Sequence, residues 1–355
     1  MWDRDSTQMK ALVLDRPGHL SYGDVPMVAP EADEILVEVR ACGICGSDVH
    51  GMDGSTGRRI PPIVMGHEAA GIVAKLGSEV TGWSIGDRVT FDSTVYCGRC
   101  DYCRRGEINL CDSRRVLGVS CAEYRRHGAF AEYLVVPARI AYRIPDDLSF
   151  TRAAFAEPLS VAVHGVSRVS PAAGESGVVI GAGMVGLLVI QALRASGCAQ
   201  IFAVDLDADR LALAAQFGAK PVRGDADAVA AAVFDATGGV GADFAIEVVG
   251  LPGAVESAVA SVRKGGRVSL IGNLAPRVEL ALQAVVTREL ALFGSCASVG
   301  DYPESIRLLA TGAVDVDPLI SVVAPLTEGA AWFEKLHAGS SGLLKVVLEP
   351  GRNEA

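Results

Sequence analysis

Residues 177–186 read GVVIGAGMVG, and an apolar stretch, MVGLLVIQALRAS, runs on from Met184. Glycines at 181, 183 and 186 follow a strand-like run and open a helix-like one, the context that gives a G-x-G-x-x-G spacing its meaning as a dinucleotide-binding turn. Gly181 permits the tight turn, Gly183 lets a pyrophosphate approach the backbone, and Gly186 lets helix and strand pack closely. Met184 and Val185 begin the helix, whose unpaired N–H groups attract phosphate. An acidic residue should end the next strand and bind ribose hydroxyls. Asp205 ends IFAVD (201–205), and Arg210 follows in the next helix-like segment. A carboxylate there repels a 2′-phosphate, so NAD is expected rather than NADP.

Outward from this turn, strand-like and helix-like segments alternate. IFAVD is followed by ADRLALAAQFG, and DFAIEVVG (243–250) by GAVESAVASVR; GRVSLIG (266–272) and LALFGS (290–295) complete the series. Such alternation indicates a parallel sheet covered on both faces. The first 150 residues have another texture. ILVEVRACG (35–43), AAGIVAKLG (69–77) and AEYLVVP (131–137) alternate apolar and polar residues or are rich in Val and Ile, with Gly and Pro between them. These are strand signals. TRAAFAEPLSVAVHGV (151–166) has helical spacing and reads as a connecting helix. The fold class is therefore α/β, a β-rich domain joined to a doubly wound one.

The totals narrow the function. A chain of 355 residues can bury two cores without covalent staples, and a net charge of −10 disfavours nucleic acid and anionic membrane as partners. No stretch approaches the roughly 18 apolar residues that a membrane span needs. The segment MWDRDSTQ lacks a secretory h-region and reads as a loose extension before MKALVLD. Nine cysteines at uneven spacing do not resemble a secreted disulfide framework, and the cytoplasm is the expected compartment.

Four cysteines stand close together in YCGRCDYCRRGEINLC: Cys97, Cys100, Cys103 and Cys111. Four thiolates in so short a loop can close a tetrahedral zinc site with no open position, the structural kind. An iron–sulfur cluster uses other spacings. Disulfides are disfavoured by the compartment, and a nucleic-acid zinc knuckle by the acidic whole. The nearby arginines read as a solvated face.

CGICGSDVH (42–50), VMGHEAAG with His67 and Glu68, and AEPLSVAVHG with Glu157 are each weak alone. In order with GDRV, the four-Cys loop and GAGMVG, they resemble the zinc-containing medium-chain alcohol dehydrogenases, and more closely their polyol (sorbitol-like) branch. The resemblance runs from about Met9 to the C-terminus. It implies a GroES-like zinc-binding catalytic domain over 9–160 and 299–355, with a Rossmann coenzyme domain inserted over 161–298. It also implies two zinc ions per chain. Cys45, His67 and Glu157 match catalytic zinc ligands, and Glu68 is able to bind zinc directly or to exchange with water. Asp48 looks like the carboxylate that orients His67. Ser47 and His50 match a relay that takes the proton of a zinc-bound alcohol to solvent, as its alkoxide passes hydride to NAD. A small-molecule secondary alcohol of a polyol, sugar, sugar derivative or cyclitol is the implied substrate, and a homotetramer or homodimer the implied assembly. Cys42 closes a strand and reads as a packed small hydrophobe.

The chain departs from the sorbitol-type pattern in two places. Aligning on Pro303 puts Ala297 and Ser298 where those enzymes carry an Arg-Tyr pair, and Gly51 stands where they have an aromatic residue. Arg58 and Arg59 read either as surface charge or as a contact to an anionic substrate. Two rival functions are a zinc-free quinone or enoyl reductase of the same superfamily and a non-catalytic NAD-binding protein. Cys45, His67 and the four-Cys loop weigh against the first, and the complete relay and ligand set against the second.

Overall fold

The computed structural model describes residues 7–121, 124–339 and 342–352. Residues 1–6 of the expected extension lie outside these; Gln8 is already in the first strand, Gln8–Arg16. The chain divides into two compact units, one of Met1–Glu157 with Val316–Ala355 and one of Pro158–Asp315. The return to the first unit thus comes at Val316, not near 299. Helix Tyr302–Ala310 stays with the second unit because its surroundings hold it there: Tyr302 is buried, Asp301 pairs with His164 at 3.3 Å, and the Asp315 N–H donates to Gln191 Oε1 at 2.7 Å.

The first unit is built on a seven-stranded sheet. Glu34–Gly43 pairs with Glu68–Leu76 and Tyr133–Pro137, and it also takes the C-terminal strand Lys345–Glu349, so the two ends of the chain meet in one sheet. The register sets Gly43 opposite both Glu68 and Val347. Alternating residues such as Ile35, Val37 and Val39 enter a core with Leu12, Leu14, Phe91, Phe130 and Phe333, where Phe130 meets Phe333 edge to face.

The second unit holds six parallel strands in the order Lys220–Val222, Gln200–Val204, Ser176–Ile180, Ala242–Glu247, Val262–Leu270, Ala291–Gly294. Val178, Val179 and Ile180 are all buried, the continuous apolar run of a strand covered on both faces. Strand order reverses beside Ser176–Ile180, which is where open α/β sheets bind ligands. Lys220–Val222 and helix Ala226–Ala236 escaped the sequence reading. The strand is three residues long and contains Pro221, which a sheet tolerates at its edge. No helix among the described residues is long and apolar enough to cross a membrane.

Candidate metal and cofactor sites

Cys45 caps the short helix Gly46–Gly51, while His67 precedes and Glu68 begins the strand Glu68–Leu76. One ligand atom from each of these three residues lies within 4.8 Å of the other two. Glu68 is held from the far end of the chain: Lys345 Nζ donates to its Oε2 at 2.5 Å and to the Ile44 carbonyl at 3.1 Å. Both side chains are buried. Gly43 makes the bridge feasible, because a Cβ there would collide with Glu68 Oε2 and stand 3.3 Å from Lys345 Cδ.

Asp48 is wholly buried in the Gly46–Gly51 helix. Its Oδ2 stands 3.5 Å from His67 Nδ1, and neither atom has a hydrogen-bond partner. Nδ1 therefore faces Asp48 and leaves Nε2 for a cation. The other carboxylate oxygen accepts from Arg59 Nη2 at 2.6 Å and Nε at 3.1 Å. Arg59 is 3% exposed, so it is neither surface charge nor a free contact for substrate, whereas Arg58 is exposed. Ser47 Oγ donates to Cys45 Sγ at 3.3 Å and accepts from Arg59 Nη2 at 3.3 Å. His50 is exposed, and among the described residues no hydrogen bond joins it to Ser47. Glu157 opens helix Ala156–Val169 and accepts from Ser93 Oγ at 3.1 Å. It stands outside the Cys45–His67–Glu68 trio, the reverse of the order expected for the two glutamates.

Burial raises the Cys45 thiol to about 12, and the charge of Glu68 pushes the same way. Burial likewise lifts Glu157 to about 8 against the pull of His67, with Glu68 and Cys45 adding to the rise. A cluster of acids that resists ionising by itself is one that a bound cation would relieve. One thiol, one imidazole and one carboxylate suit zinc with a fourth position open.

Cys97, Cys100, Cys103 and Cys111 gather with their sulfurs within 4.8 Å of one another and are not disulfide-bonded. Cys100 caps the turn Asp101–Arg104, and Cys111 ends the turn Ile108–Leu110. Backbone N–H groups of Arg99 and Cys100 point at Cys97 Sγ, at 3.5 and 3.4 Å, and draw its thiol down to about 6. Such N–H···S bonds stabilise thiolate, the form that binds metal.

In the second unit Gly181 has φ +99°, in the left-handed region, and a Cβ on Gly186 would strike the Gly181 carbonyl oxygen. Those two glycines are needed by the fold itself. Gly183 differs: a Cβ there would find only Arg210 Nη1, at 3.9 Å, so the space over it is open for a ligand. Met184 and Val185 form the first turn of helix Met184–Ala195. Asp205 Oδ2 accepts from the Ala182 N–H at 2.7 Å and Oδ1 from the Asp207 N–H at 2.9 Å, which fixes the carboxylate beside the glycine loop. Arg210 Nη1 lies 4.0 Å from Asp205 Oδ2. These residues fit the phosphates and ribose of a dinucleotide.

Residues 31–146 match the model of the alcohol dehydrogenase GroES-like domain, and residues 184–311 that of the zinc-binding dehydrogenases. A sorbitol dehydrogenase of Bacillus subtilis (strain 168) is 34% identical over 97% of this chain and 98% of its own. The chain belongs to the zinc-binding alcohol dehydrogenase family. Within it, it belongs to the polyol branch. A D-arabitol-phosphate dehydrogenase of Enterococcus avium is 33% identical over 98% of this chain and 99% of its own. A candidate zinc-binding dehydrogenase of Sinorhizobium meliloti 1021, solved with NADP bound, superimposes with a TM-score of 0.89 at 33% identity, covering 97% of this chain and all of the other. This dehydrogenase is accordingly an enzyme that uses zinc and a nicotinamide cofactor.

Two residues of the dehydrogenase's metal region were not legible as such in the sequence. Lys345 carries no motif; the only hint is an isolated Lys in the otherwise apolar LLKVVL. Arg59 was visible, but its burial was not. Ala297, where the sorbitol-type pattern has a long side chain, lies at φ +52°, and Ser298 beside it is buried.

Proposed function

We propose that this enzyme oxidises a secondary alcohol of a polyol, sugar, sugar derivative or cyclitol with NAD, and that it carries two zinc ions. The observation that carries the reading is the Cys45–His67–Glu68 trio, three donors of three kinds, standing apart from a closed set of four cysteines. In the trio zinc acts, when bound, as a Lewis acid on the alcohol oxygen and makes its proton easier to lose. The chain does the rest. Cys45, His67 and Glu68 hold the metal, with Glu157 available beside them as a carboxylate that can approach it. Asp48 Oδ2 faces His67 Nδ1 and so favours the tautomer that presents Nε2. Ser47 Oγ and the exposed His50 imidazole take the alcohol proton to solvent. A bound nicotinamide cofactor would supply the hydride acceptor; Gly181, Gly183, Met184, Val185 and Gly186 would hold its nucleotide half, with Asp205 for the ribose and Arg210 alongside.

The Asp205 carboxylate supports NAD: it would stand against the dianionic 2′-phosphate of NADP. The enzyme works as a homotetramer or homodimer in the cytoplasm. A panel of polyols, sugar phosphates, inositols and simple secondary alcohols, read by NADH and NADPH formation, tests substrate and cofactor together. Metal analysis should find two zinc ions per chain. Full-rate oxidation after chelator treatment would overturn the mechanism.

A further inference from the structure

We infer that Arg59 is a positioning residue for the proposed catalytic metal site, and that Gly51 exists to admit it; the inference rests on the reading of Cys45, His67 and Glu68 as that site. Arg59 lies in the loop between the two segments that supply those donors, and its guanidinium is 3% exposed. From there it reaches both. Through Nη2 and Nε, at 2.6 and 3.1 Å, it grips Oδ1 of Asp48, whose Oδ2 faces His67 Nδ1 at 3.5 Å. Through Nη2, at 3.3 Å, it touches Ser47 Oγ, which donates to Cys45 Sγ at 3.3 Å. Nη1 is anchored on the Arg58 carbonyl at 3.2 Å, so the planar head cannot swing.

The dominant link is the one to Asp48. Two charge-assisted bonds to a single oxygen are stronger than one long contact to a hydroxyl. They also decide how Asp48 points. With Oδ1 occupied, Oδ2 is the acceptor left for the imidazole, and a carboxylate with no exposure needs a cation in any case. The route of the Arg59 stem explains the glycine after His50. A Cβ on Gly51 would stand 2.7 Å from Arg59 Cγ and 3.3 Å from Thr56 Oγ1. Cγ lies near the root of the side chain and cannot step aside without moving the guanidinium. A residue larger than glycine at 51 and the Arg59–Asp48 pair therefore exclude each other.

The test is zinc binding by the full-length protein, measured by competition with a chelator, with wild type and Cys45→Ser defining the Cys45-dependent zinc. Arg59→Met should weaken that zinc about 10–100-fold, the usual effect of removing an outer partner of a metal ligand, and leave the four-Cys zinc in place. Gly51→Ala, which displaces Arg59 without deleting it, should shift affinity the same way. Because Arg59→Met strands the Asp48 charge and can impair folding, Asp48→Asn and Arg59→Met/Asp48→Asn are included. If Arg59 acts through Asp48, the double variant binds zinc no more weakly than the weaker single one. Folded Arg59→Met with affinity within about twofold of wild type would overturn the proposal, as would losses that multiply in the double variant, since additivity marks independent sites. Wild-type protein without any Cys45-dependent zinc would overturn the site reading, and the proposal with it.

Discussion

Replacing Lys345 by Met should destabilise the first unit more than any surface change, by an amount the geometry sets. The ammonium is 4% exposed and 2.5 Å from a carboxylate that is 3% exposed, in a sheet position where water cannot replace it. Burial acts to lower the Lys345 pKa, but the charge of Glu68 and its hydrogen bond to the ammonium help outweigh that and leave it raised above its ordinary 10.5. Lys345 is therefore charged at neutral pH, and Met at 345 would leave the buried Glu68 carboxylate without its cation. Removing one partner of a buried pair costs about 3–5 kcal/mol. For a domain of roughly 150–250 residues, 1 kcal/mol moves Tm by about 2–4 °C, so a fall of roughly 6–20 °C is expected.

The assay is thermal unfolding of wild type, Lys345→Met, Glu68→Gln and the double variant, all in chelator so that zinc does not stand in for the lost ammonium. Each single variant should lose several degrees, and the double variant should recover most of the loss, because no lone charge remains. Adding zinc should narrow the gap between Lys345→Met and wild type. Gly43→Ala attacks the same bridge sterically and should fall in the same direction. The pH dependence has a definite sign. A group whose folded pKa is raised stabilises fully below its unfolded value, here 10.5, and loses that contribution as pH rises through the folded value. A Lys345→Met variant within about 1 kcal/mol of wild type, or a double variant as unstable as the summed singles, would refute the reasoning.

Three other outcomes are expected. Cys45→Ser should lose one zinc and activity while Cys42→Ala retains both, because Cys42 is fully buried in the core; metal analysis beside a polyol assay separates them, and equal losses would contradict the assignment. Gly186→Ala should unfold or destabilise the second unit, whereas Gly183→Ala should fold normally and lose NAD affinity about tenfold or more, each 1.4 kcal/mol of lost contact being tenfold; calorimetry and NAD titration give the two readings. Cys100→Ser should release the four-Cys zinc and lower Tm with the Cys45-dependent zinc still bound, a result that zinc counting together with thermal scans would register.

The glycine fingerprint, the four-Cys loop and the sheet of the second unit were legible in the sequence because each is local: the chemistry and its spacing lie within a few residues of one another. The Lys220–Val222 strand escaped because three residues at a sheet edge carry no periodicity. Helix Tyr302–Ala310 was assigned to the wrong side of the boundary because its attachments, Asp301 to His164 and Asp315 to Gln191, span more than a hundred residues of chain. The metal region shows the same division more sharply. The residues proposed to bind metal sit in recognisable motifs, but the groups that hold those side chains come from positions 59 and 345, each an ordinary basic residue on paper.

Those distant groups nevertheless leave a mark in the local sequence, as places where a side chain is missing. In CGICGSDVHG, residues 42–51, Gly43 is where a Cβ would strike the Glu68 carboxylate, and Gly51 is where it would strike the stem of Arg59. Neither glycine has a positive φ, so neither is required by the backbone; both are required by what passes over them. Gly46, in the same segment, meets nothing within 4 Å and has no such role. The three glycines make a graded test of the packing argument. Alanine at 46 should be tolerated, alanine at 51 should weaken zinc through Arg59, and alanine at 43 should cost stability through the Lys345–Glu68 bridge. An equal response at all three would mean that the segment tolerates or rejects side chains for reasons of its own helix, and not because two buried cations are threaded past it.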